Sequence, residues 1–168
     1  MNEALNSLAA RVGKLAQERG LTLATVESCT AGGLAHLLSQ LEGASLTLHG
    51  GFVVYTKDNK IKAVGVPQDL ITRHTAVSAE VAQAMADGGL ERSPADVVAA
   101  ITGVAGPDPD DDGNPVGLVY VAIAGRDGRR RAIRHEFGAL EKGDICARAM
   151  ASALGLFEEW LRPAPHSA

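Results

Sequence analysis

Apolar residues recur at helical spacing over the first part of the chain and then change to strand-like spacing. Between residues 2 and 19 they fall three and four positions apart, which predicts an amphipathic helix ending at Gly20. The segment "LTLATVE" that follows alternates like a strand. A second helical stripe runs from Leu34 to Leu41, with Gly43 as its predicted stop. The stretch "ESCTAGG" is therefore predicted to be a strand-to-helix junction.

The middle of the chain continues this alternation. The run "LTLHGGFVVYT" predicts a strand whose double glycine marks a bulge or a close backbone approach. "DNKIKAVGV" predicts a short helix capped by Asp58, and Pro67 opens a connecting segment. Ser78 is expected to cap another helix, which should close at Gly88 and Gly89.

The last third of the chain contains three strand signals and one long helix. "DVVAAITG" is a continuous apolar run, typical of a central strand covered on both faces. "VGLVYVAIAG" and "RRRAIRHEF" flank a short turn and predict an antiparallel hairpin, and residues 142–161 predict the final helix. The whole pattern predicts an α/β protein, a three-layer α/β/α sandwich with a mixed, mostly parallel sheet. We expect one domain over residues 1–162 and a flexible C-terminal tail over 163–168.

Composition and charge exclude several classes of protein. The 168 residues are 46% hydrophobic and 21% charged, which suits one globular domain. A net charge of −4 leaves no broad basic surface for nucleic acid, and the Arg129–Arg131 cluster is interpreted as a solvated strand edge. No apolar run is long enough to span a membrane, so we expect no membrane partner and a cytoplasmic location. The two cysteines are expected to be reduced thiols.

Ser28 is the first candidate for chemistry. At the start of a helix its hydroxyl would lie beside free N–H groups, which favour a phosphate or the oxyanion of an acyl-transfer intermediate. A serine here can equally be a plain helix cap, and as a nucleophile it needs an activating base. None of the five histidines lies in a triad setting, and His36 is interpreted as a partly buried structural residue.

A lysine can replace histidine as the base when burial or neighbouring charge lowers its pKa. Tyr55, Lys57 and Lys60 follow the predicted second strand, so they would meet Ser28 if the two strands are parallel neighbours. Cys29 is the rival nucleophile, because a thiol at a helix N-terminus can have a lowered pKa. Glu27 could orient a neighbour or pair with a lysine, and both interpretations stay open.

The segment "ITGVAGPDPDDDGNPVG" follows the predicted central strand. Its small residues would let backbone amides approach a ligand, although a tight turn explains them equally well. The acidic run has the spacing that opens an EF-hand loop from Asp108, but the twelfth position is Val119 and Pro115 interrupts the exiting helix. We expect a solvent-facing loop and no metal site.

Together "ESCTAGG", "GGFVVYTKDNK", "HTAVS" and "ITGVAGPDPDDDGNPVG" resemble, in order, the CinA C-terminal domain family, also known as the nicotinamide-nucleotide amidohydrolases. The resemblance implies a metal-independent and cofactor-free deamidase that converts nicotinamide mononucleotide to nicotinate mononucleotide and ammonia, in pyridine-nucleotide recycling. It implies Ser28 as nucleophile, with Tyr55 and Lys60 as its activating pair, and a homo-oligomer. The residues expected to contact the nucleotide substrate are Cys29, Thr30, Gly32, Gly33, Thr102, Gly103, Ala105 and Gly106.

Two positions depart from the family pattern. Ala31 stands where a glycine is usual, and the arginine that follows the last strand would fall on Lys142 or Arg148. Lysine lacks the planar fork with which arginine holds a carboxylate or phosphate. The alternatives are therefore a nucleotide-binding or interaction module of low activity, linked to competence or DNA damage, and a hydrolase that uses Cys29. The length of the chain favours the stand-alone form of the family.

Overall fold

A computed structural model describes residues 3–162 of the chain as five strands and seven helices. The predicted C-terminal tail, residues 163–168, lies outside the described residues. The helices are α1 (Glu3–Arg19), α2 (Gly33–Ser39), α3 (Ala44–Thr47), α4 (Lys57–Val64), α5 (Gln68–His74), α6 (Ala79–Glu91) and α7 (Lys142–Leu161). The strands are β1 (Leu23–Glu27), β2 (Leu48–Val53), β3 (Val97–Gly103), β4 (Leu118–Gly125) and β5 (Arg130–Glu136).

The strands form one mixed sheet in the order β2-β1-β3-β4-β5. Strand β1 pairs in parallel with both β2 and β3, whereas β4 is antiparallel to β3 and to β5. Strand β4 is thus the one strand of this sheet that runs against the others. Because β1, β2 and β3 are parallel neighbours, their carboxyl ends meet at one edge of the sheet.

Helices cover both faces of the sheet, which confirms the predicted three-layer α/β/α sandwich. Helices α1, α2 and α7 pack with one face of the central strands, and α4, α5 and α6 pack with the other. Alternate residues of β3 enter the two cores: Ile101 lies on the α7 side and Val98 on the α6 side, both fully buried. Burying each such side chain stabilises the fold by about 1.5 to 3 kcal/mol.

Glycines decide two close approaches between elements. A Cβ on Gly51 of β2 would lie 2.5 Å from the Thr25 hydroxyl oxygen, so the predicted close approach is confirmed, and a register shift beside Leu23 supplies a bulge. The predicted end of α6 at Gly88 and Gly89 is wrong, since the helix continues to Glu91. A Cβ on Gly88 would lie 1.8 Å from the Val64 carbonyl oxygen, so this glycine serves helix packing rather than termination.

Other predicted boundaries and burial states also need correction. Helix α4 is capped by Thr56, whose hydroxyl accepts from the Asn59 N–H, while Asp58 pairs with Lys62 at 2.9 Å. Helix α5 occupies the segment after Pro67 that was predicted to be a connection. Helix α2 ends at Ser39, and Gly43 instead precedes α3. His36 is exposed rather than partly buried.

The basic cluster Arg129–Arg131 is exposed at the start of the edge strand β5, as predicted, and its side chains contact neighbouring elements. The Arg129 guanidinium lies 3.9 Å from the centroid of the Trp160 ring. Arg130 pairs with Asp87, and Arg131 pairs with Glu159. Among the described residues, no helix has the length and apolar character needed to cross a membrane.

Candidate active site

Ser28 lies at the carboxyl end of β1, between the ends of β2 and β3. Its backbone N–H donates to the Ile101 carbonyl oxygen of β3 at 3.0 Å, and the Val54 N–H donates to the Glu27 carbonyl oxygen at 2.8 Å. The sheet ladder therefore continues one step beyond β1 on both sides. Open α/β sheets bind ligands at this edge.

The Ser28 hydroxyl is in direct contact with a buried lysine. Lys60 is only 2% exposed, and its Nζ donates to the Ser28 Oγ at 2.8 Å and to the Val54 carbonyl oxygen at 3.1 Å. The pKa of Lys60 is lowered from 10.5 to about 8, chiefly by burial; Cys29 opposes this shift and the charge of Lys57 adds to it. With a pKa near 8, Lys60 is neutral, and so able to accept a proton, in about a tenth of the protein molecules at pH 7.

Helix α4 fixes the position of Lys60. The Thr56 hydroxyl accepts from the Asn59 N–H at 3.1 Å, which caps the first turn. The Asn59 side-chain amide also donates to the Val53 carbonyl oxygen at 2.9 Å, which ties the helix to the end of β2. Lys60 is one residue further along, within the first turn, and is therefore held against the end of β1.

Glu27, whose role the sequence left open, caps helix α2. Its carboxylate is fully buried and accepts from the backbone N–H groups of Leu34 and Ala35 and from the hydroxyls of Thr25 and Thr30. It replaces the side chain that Gly32, the residue at the cap position, does not have. Glu27 therefore orients its neighbours and does not pair with a lysine.

The expectation that the first N–H groups of the helix lie directly beside Ser28 is wrong in detail. Helix α2 begins five residues later, at Gly33, and Glu27 already accepts from two N–H groups of its first turn. In the turn between Ser28 and α2, the N–H groups of Thr30 and Gly32 form no hydrogen bond within residues 3–162. The turn, rather than the helix, carries the free donors.

Cys29 has the wrong environment for a nucleophile. The residue is 7% exposed, and burial, followed by the neighbouring Cys146, raises the pKa of its thiol to about 12. The predicted lowering of this pKa at a helix N-terminus is therefore contradicted. Because the thiolate is the reactive form, the structure opposes the Cys29 hypothesis.

A cleft of about 550 Å³ opens in front of Ser28 and Lys60, and Tyr55 and Thr102 line it as well. A smaller depression of about 170 Å³ adjoins it and is lined by Ser28, Cys29, Tyr55 and the Gly103–Gly106 loop. Tyr55 is 57% exposed, and its hydroxyl forms no hydrogen bond within the described part of the chain. The structure therefore places Tyr55 at the rim, without the contact to Lys60 that a proton relay requires.

Several predicted ligand-binding residues have structural duties instead. The Thr102 hydroxyl is fully buried and donates to the Ala76 carbonyl oxygen at 2.8 Å, so its proton is not available to an oxyanion. The Thr30 hydroxyl donates to Glu27 at 2.7 Å. Gly33 packs against the Met150 sulfur, and neither Gly32 nor Gly33 lines the two depressions. Gly103, Ala105 and Gly106 do line the smaller depression.

The acidic loop forms the wall of the cleft opposite α4. Asp110 accepts from the backbone N–H groups of Asp112 and Asn114 and so folds the loop. Asp112 pairs with Lys57 at 2.7 Å across the cleft. This pair was missed, because no local pattern links a helix start to a loop more than fifty residues away. Residues 3–162 contain no group of three His, Cys, Asp or Glu side chains able to hold a metal ion.

The two candidates for the family arginine lie elsewhere. The Arg148 guanidinium is 5.9 Å from the Phe137 ring centroid, and Lys142 is close enough to Cys146 to lower the pKa of that thiol against the larger effect of burial. Neither residue lines the cleft or the smaller depression.

Comparison with known proteins identifies the family of the chain. The family model of the CinA C-terminal domain matches residues 5–161. The chain belongs to the CinA C-terminal domain family. A competence-damage inducible protein of Symbiobacterium thermophilum is 49% identical over 115 residues, which cover 68% of this chain and 27% of that protein. A CinA-like protein of Mycobacterium sp. (strain JLS) is 48% identical over 145 residues, 85% of this chain and 34% of that protein. The chain thus spans about a third of the length of these curated relatives, or less.

Solved structures of similar length show the same fold. The competence/damage inducible protein CihA from Agrobacterium tumefaciens has a TM-score of 0.93 and 33% identity, covering 96% of this chain and 98% of that one. A CinA superfamily protein from Escherichia coli has a TM-score of 0.87 and 33% identity, covering 96% and 92%. The predicted family and fold class are confirmed.

Proposed function

We propose that this member of the CinA C-terminal domain family is an amidohydrolase that deamidates nicotinamide mononucleotide to nicotinate mononucleotide and ammonia. Ser28 is the nucleophile and Lys60 is the general base. The observation that carries the proposal is the 2.8 Å contact between the Ser28 Oγ and the Nζ of a buried lysine whose pKa is lowered to about 8. Activation of a hydroxyl by a neighbouring amine needs this combination of distance and partial neutrality.

The reaction has two halves in this proposal. Neutral Lys60 takes the Ser28 proton as the Ser28 Oγ bonds to the carboxamide carbon, and N–H groups of the 103–106 loop, which lines the smaller depression, stabilise the oxyanion. Lys60 then gives the proton to the leaving nitrogen, the C–N bond breaks and ammonia departs. Water next attacks the ester carbon and gives one proton to Lys60. The bond between that carbon and the Ser28 Oγ then breaks as Lys60 passes this proton to the Oγ, and the acid leaves as a carboxylate after losing its remaining proton to solvent. No metal or cofactor takes part in either half.

The shape of the site supports a nucleotide-sized substrate. Ser28 and Tyr55 line both the 550 Å³ cleft and the 170 Å³ depression, so a ligand in either space can reach the same hydroxyl. We assign the carboxamide to the junction of the two spaces and the ribosyl phosphate to the cleft. Tyr55 becomes a substrate-contacting residue at the rim rather than a relay. The homo-oligomer implied by the family resemblance stays a prediction.

The experiment measures ammonia released from nicotinamide mononucleotide by wild type, Ser28→Ala, Lys60→Met and Cys29→Ala. Loss of Ser28 or Lys60 should lower kcat by at least about a thousandfold, because the two groups act as one unit. Cys29→Ala should keep kcat within about tenfold of wild type, since its buried thiol takes no part. An active Ser28→Ala with an inactive Cys29→Ala would transfer the role of nucleophile to the thiol.

A second candidate function is a nucleotide-binding module that serves a competence or DNA-damage partner. The names of the relatives favour it, as does the position of Lys142 and Arg148 away from the cleft. A folded wild-type protein that binds the mononucleotide, measured by calorimetry, and releases no ammonia would support this module against the amidohydrolase.

A further inference from the structure

Glu27 is a fully buried carboxylate beside Ser28 that the proposed reaction does not use. Its Oε1 accepts from the Thr25 hydroxyl at 2.9 Å and from the Ala35 N–H at 2.8 Å. Its Oε2 accepts from the Thr30 hydroxyl at 2.7 Å and from the Leu34 N–H at 2.9 Å. Four donors therefore compensate one negative charge, and the carboxylate is fixed in one orientation.

Three of these donors come from the segment that follows Ser28. Thr30 belongs to the turn, and Leu34 and Ala35 to the first turn of α2. The residue before Ser28 thus holds the chain that comes after it, and Ser28 lies inside the loop so formed. The Ala31 N–H also donates to the Ser28 carbonyl oxygen at 3.0 Å, which tightens the same loop.

The turn has a conformation that requires such support. Ala31 has φ 49°, in the left-handed region that a side chain disfavours, and Gly32 follows at φ 93°. A strained turn persists only when its surroundings hold it in place. The sheet holds Ser28 through its backbone N–H alone, so the direction of its hydroxyl depends on the turn.

We propose that Glu27 is a positioning residue for Ser28: by binding the turn and the start of α2, it holds the Ser28 Oγ at hydrogen-bond distance from the Lys60 Nζ. The inference rests on the proposed function, in which that contact activates the nucleophile. Glu27 acts through geometry rather than charge. The pKa of Lys60 is shifted by burial and by the residues Cys29 and Lys57, and Glu27 is not among these causes.

The variant Glu27→Gln keeps the size of the side chain but removes one of its two acceptor oxygens. Glutamine has nearly the same size, but one of its two terminal groups is an NH₂ donor, which would face donors already present. A threonine hydroxyl can rotate to accept from this NH₂, but a backbone N–H cannot, so the hydrogen bond from the Leu34 or the Ala35 N–H of α2 must then break. A displacement of about 1 Å at a reacting group can cost on the order of a hundredfold in rate, and we expect that loss in kcat with KM little changed. The midpoint of the pH profile should not move.

Thr30→Val and Thr25→Val form a matched pair, because each removes one hydroxyl donor from the same carboxylate. Thr30 ties Glu27 to the turn, whereas Thr25 lies on β1, before Glu27. If positioning is the role of Glu27, Thr30→Val should lower kcat by about tenfold and Thr25→Val by less than about twofold, although both lose a similar hydrogen bond. Equal losses in kcat, in step with equal losses in melting temperature, would reduce Glu27 to a purely structural residue.

The experiment follows Ser28 by two independent readouts in wild type, Glu27→Gln, Thr30→Val and Thr25→Val. One is ammonia release from nicotinamide mononucleotide, and the other is the rate at which a fluorophosphonate adds to Ser28, measured by intact mass with Ser28→Ala as the blank. Both rates should fall together in Glu27→Gln.

A wild type that is labelled but inactive would refute nicotinamide mononucleotide as the substrate, and the labelling rates would then decide on the role of Glu27. Labelling of Glu27→Gln at the wild-type rate would overturn the positioning role, and a wild type that is neither labelled nor active would overturn both proposals. If Glu27→Gln does not fold, the comparison of the two threonine variants decides.

Discussion

Two ionisable side chains are buried on either side of Ser28, and their surroundings differ in kind. Glu27 ends β1, and its carboxylate lies at the start of α2, where it accepts from four hydrogen-bond donors. Lys60 has only two acceptors, the Ser28 hydroxyl and the Val54 carbonyl oxygen, and neither carries a charge. The charge of Glu27 is thus compensated by its neighbours, whereas the charge of Lys60 is not. Burial lowers the pKa of Lys60 for this reason.

This difference in surroundings gives the two side chains different roles: Glu27 supports the local structure, and Lys60 is reactive. A carboxylate with four donors holds the chain in place, while a buried ammonium without a charged partner is ready to lose a proton near neutral pH. Perturbed groups of the second kind concentrate at functional sites, at a cost in stability that the rest of the fold must offset. The contrast between Glu27 and Lys60 can therefore be tested separately in the free energy of unfolding and in the rate of the reaction.

The largest expected effect is on the pH dependence of stability. Above pH 8 the unfolded chain still holds the Lys60 proton that the folded chain has lost, so the stability of wild type relative to Lys60→Met should rise with pH up to about 10.5. Relative to Lys60→Met, the gain over this window is roughly 3 kcal/mol, and it is lost as the pH falls back through 8. Urea unfolding of both proteins from pH 7 to 10.5 measures it.

Lys62→Met is the control for that series, because it removes an exposed lysine from the same helix. Its difference from wild type should change much less over the same window. A free-energy difference between wild type and Lys60→Met that stays constant with pH would mean that Lys60 keeps its proton equally well in both states, and the contrast with Glu27 would disappear.

The next effect is on the rate. If neutral Lys60 is the base, kcat/KM should rise about tenfold per pH unit below pH 8 and level off above it, a change of about a hundredfold between pH 6 and 9. Initial rates of ammonia release, with the fold checked by circular dichroism at each pH, give this profile. A flat profile over that range would exclude proton transfer to a lysine of this pKa.

A smaller effect concerns the N-terminal cap of α4. Thr56 caps α4, which carries Lys60, so Thr56→Ala should lower the free energy of unfolding by about 1 kcal/mol. Asp58→Ala should cost only a few tenths of a kcal/mol, because Asp58 makes an exposed ion pair and no cap. Thermal unfolding of the two variants compares them, and a larger loss in Asp58→Ala would restore Asp58 as the cap.

Much of this architecture could be predicted, because the signals were local. The central strand at residues 97–103 and the final helix at 142–161 each followed from one apolar pattern, and Ser28 and Lys60 lay at strand ends within recognisable motifs. The bonding of Glu27 could not be predicted, since it depends on a five-residue turn whose path no pattern specifies.

Three further predictions were wrong, two of them because of contacts distant in the sequence. Gly88 was taken as a helix stop because its close contact with Val64 is made across two helices. Helix α5 was hidden by Pro67, which precedes its first residue instead of ending an element. The Thr102 hydroxyl was assigned to a ligand because its acceptor, the Ala76 carbonyl, comes from a loop twenty-six residues earlier. For Gly88 and Thr102 a tertiary partner decided the role of the residue, whereas Pro67 is a local signal that fits both the end and the start of a helix.

The smallest effect tests what sets the reactivity of Lys60. The Lys57 charge lowers the pKa of Lys60, in addition to burial, so Lys57→Met should move the midpoint of the kcat/KM profile to higher pH. The shift should be small, because burial is the larger cause and Asp112 already pairs with Lys57 at 2.7 Å. Since kcat/KM reports the free enzyme, a change in substrate affinity alters the height of the profile and not its midpoint.

Lys62→Met is the control, because Lys62 is an exposed lysine of the same helix, and it should leave the midpoint where it is in wild type. A midpoint that moves down in Lys57→Met would show that Lys57 stabilises rather than opposes the charged form of Lys60, and the base would then owe its reactivity to burial alone.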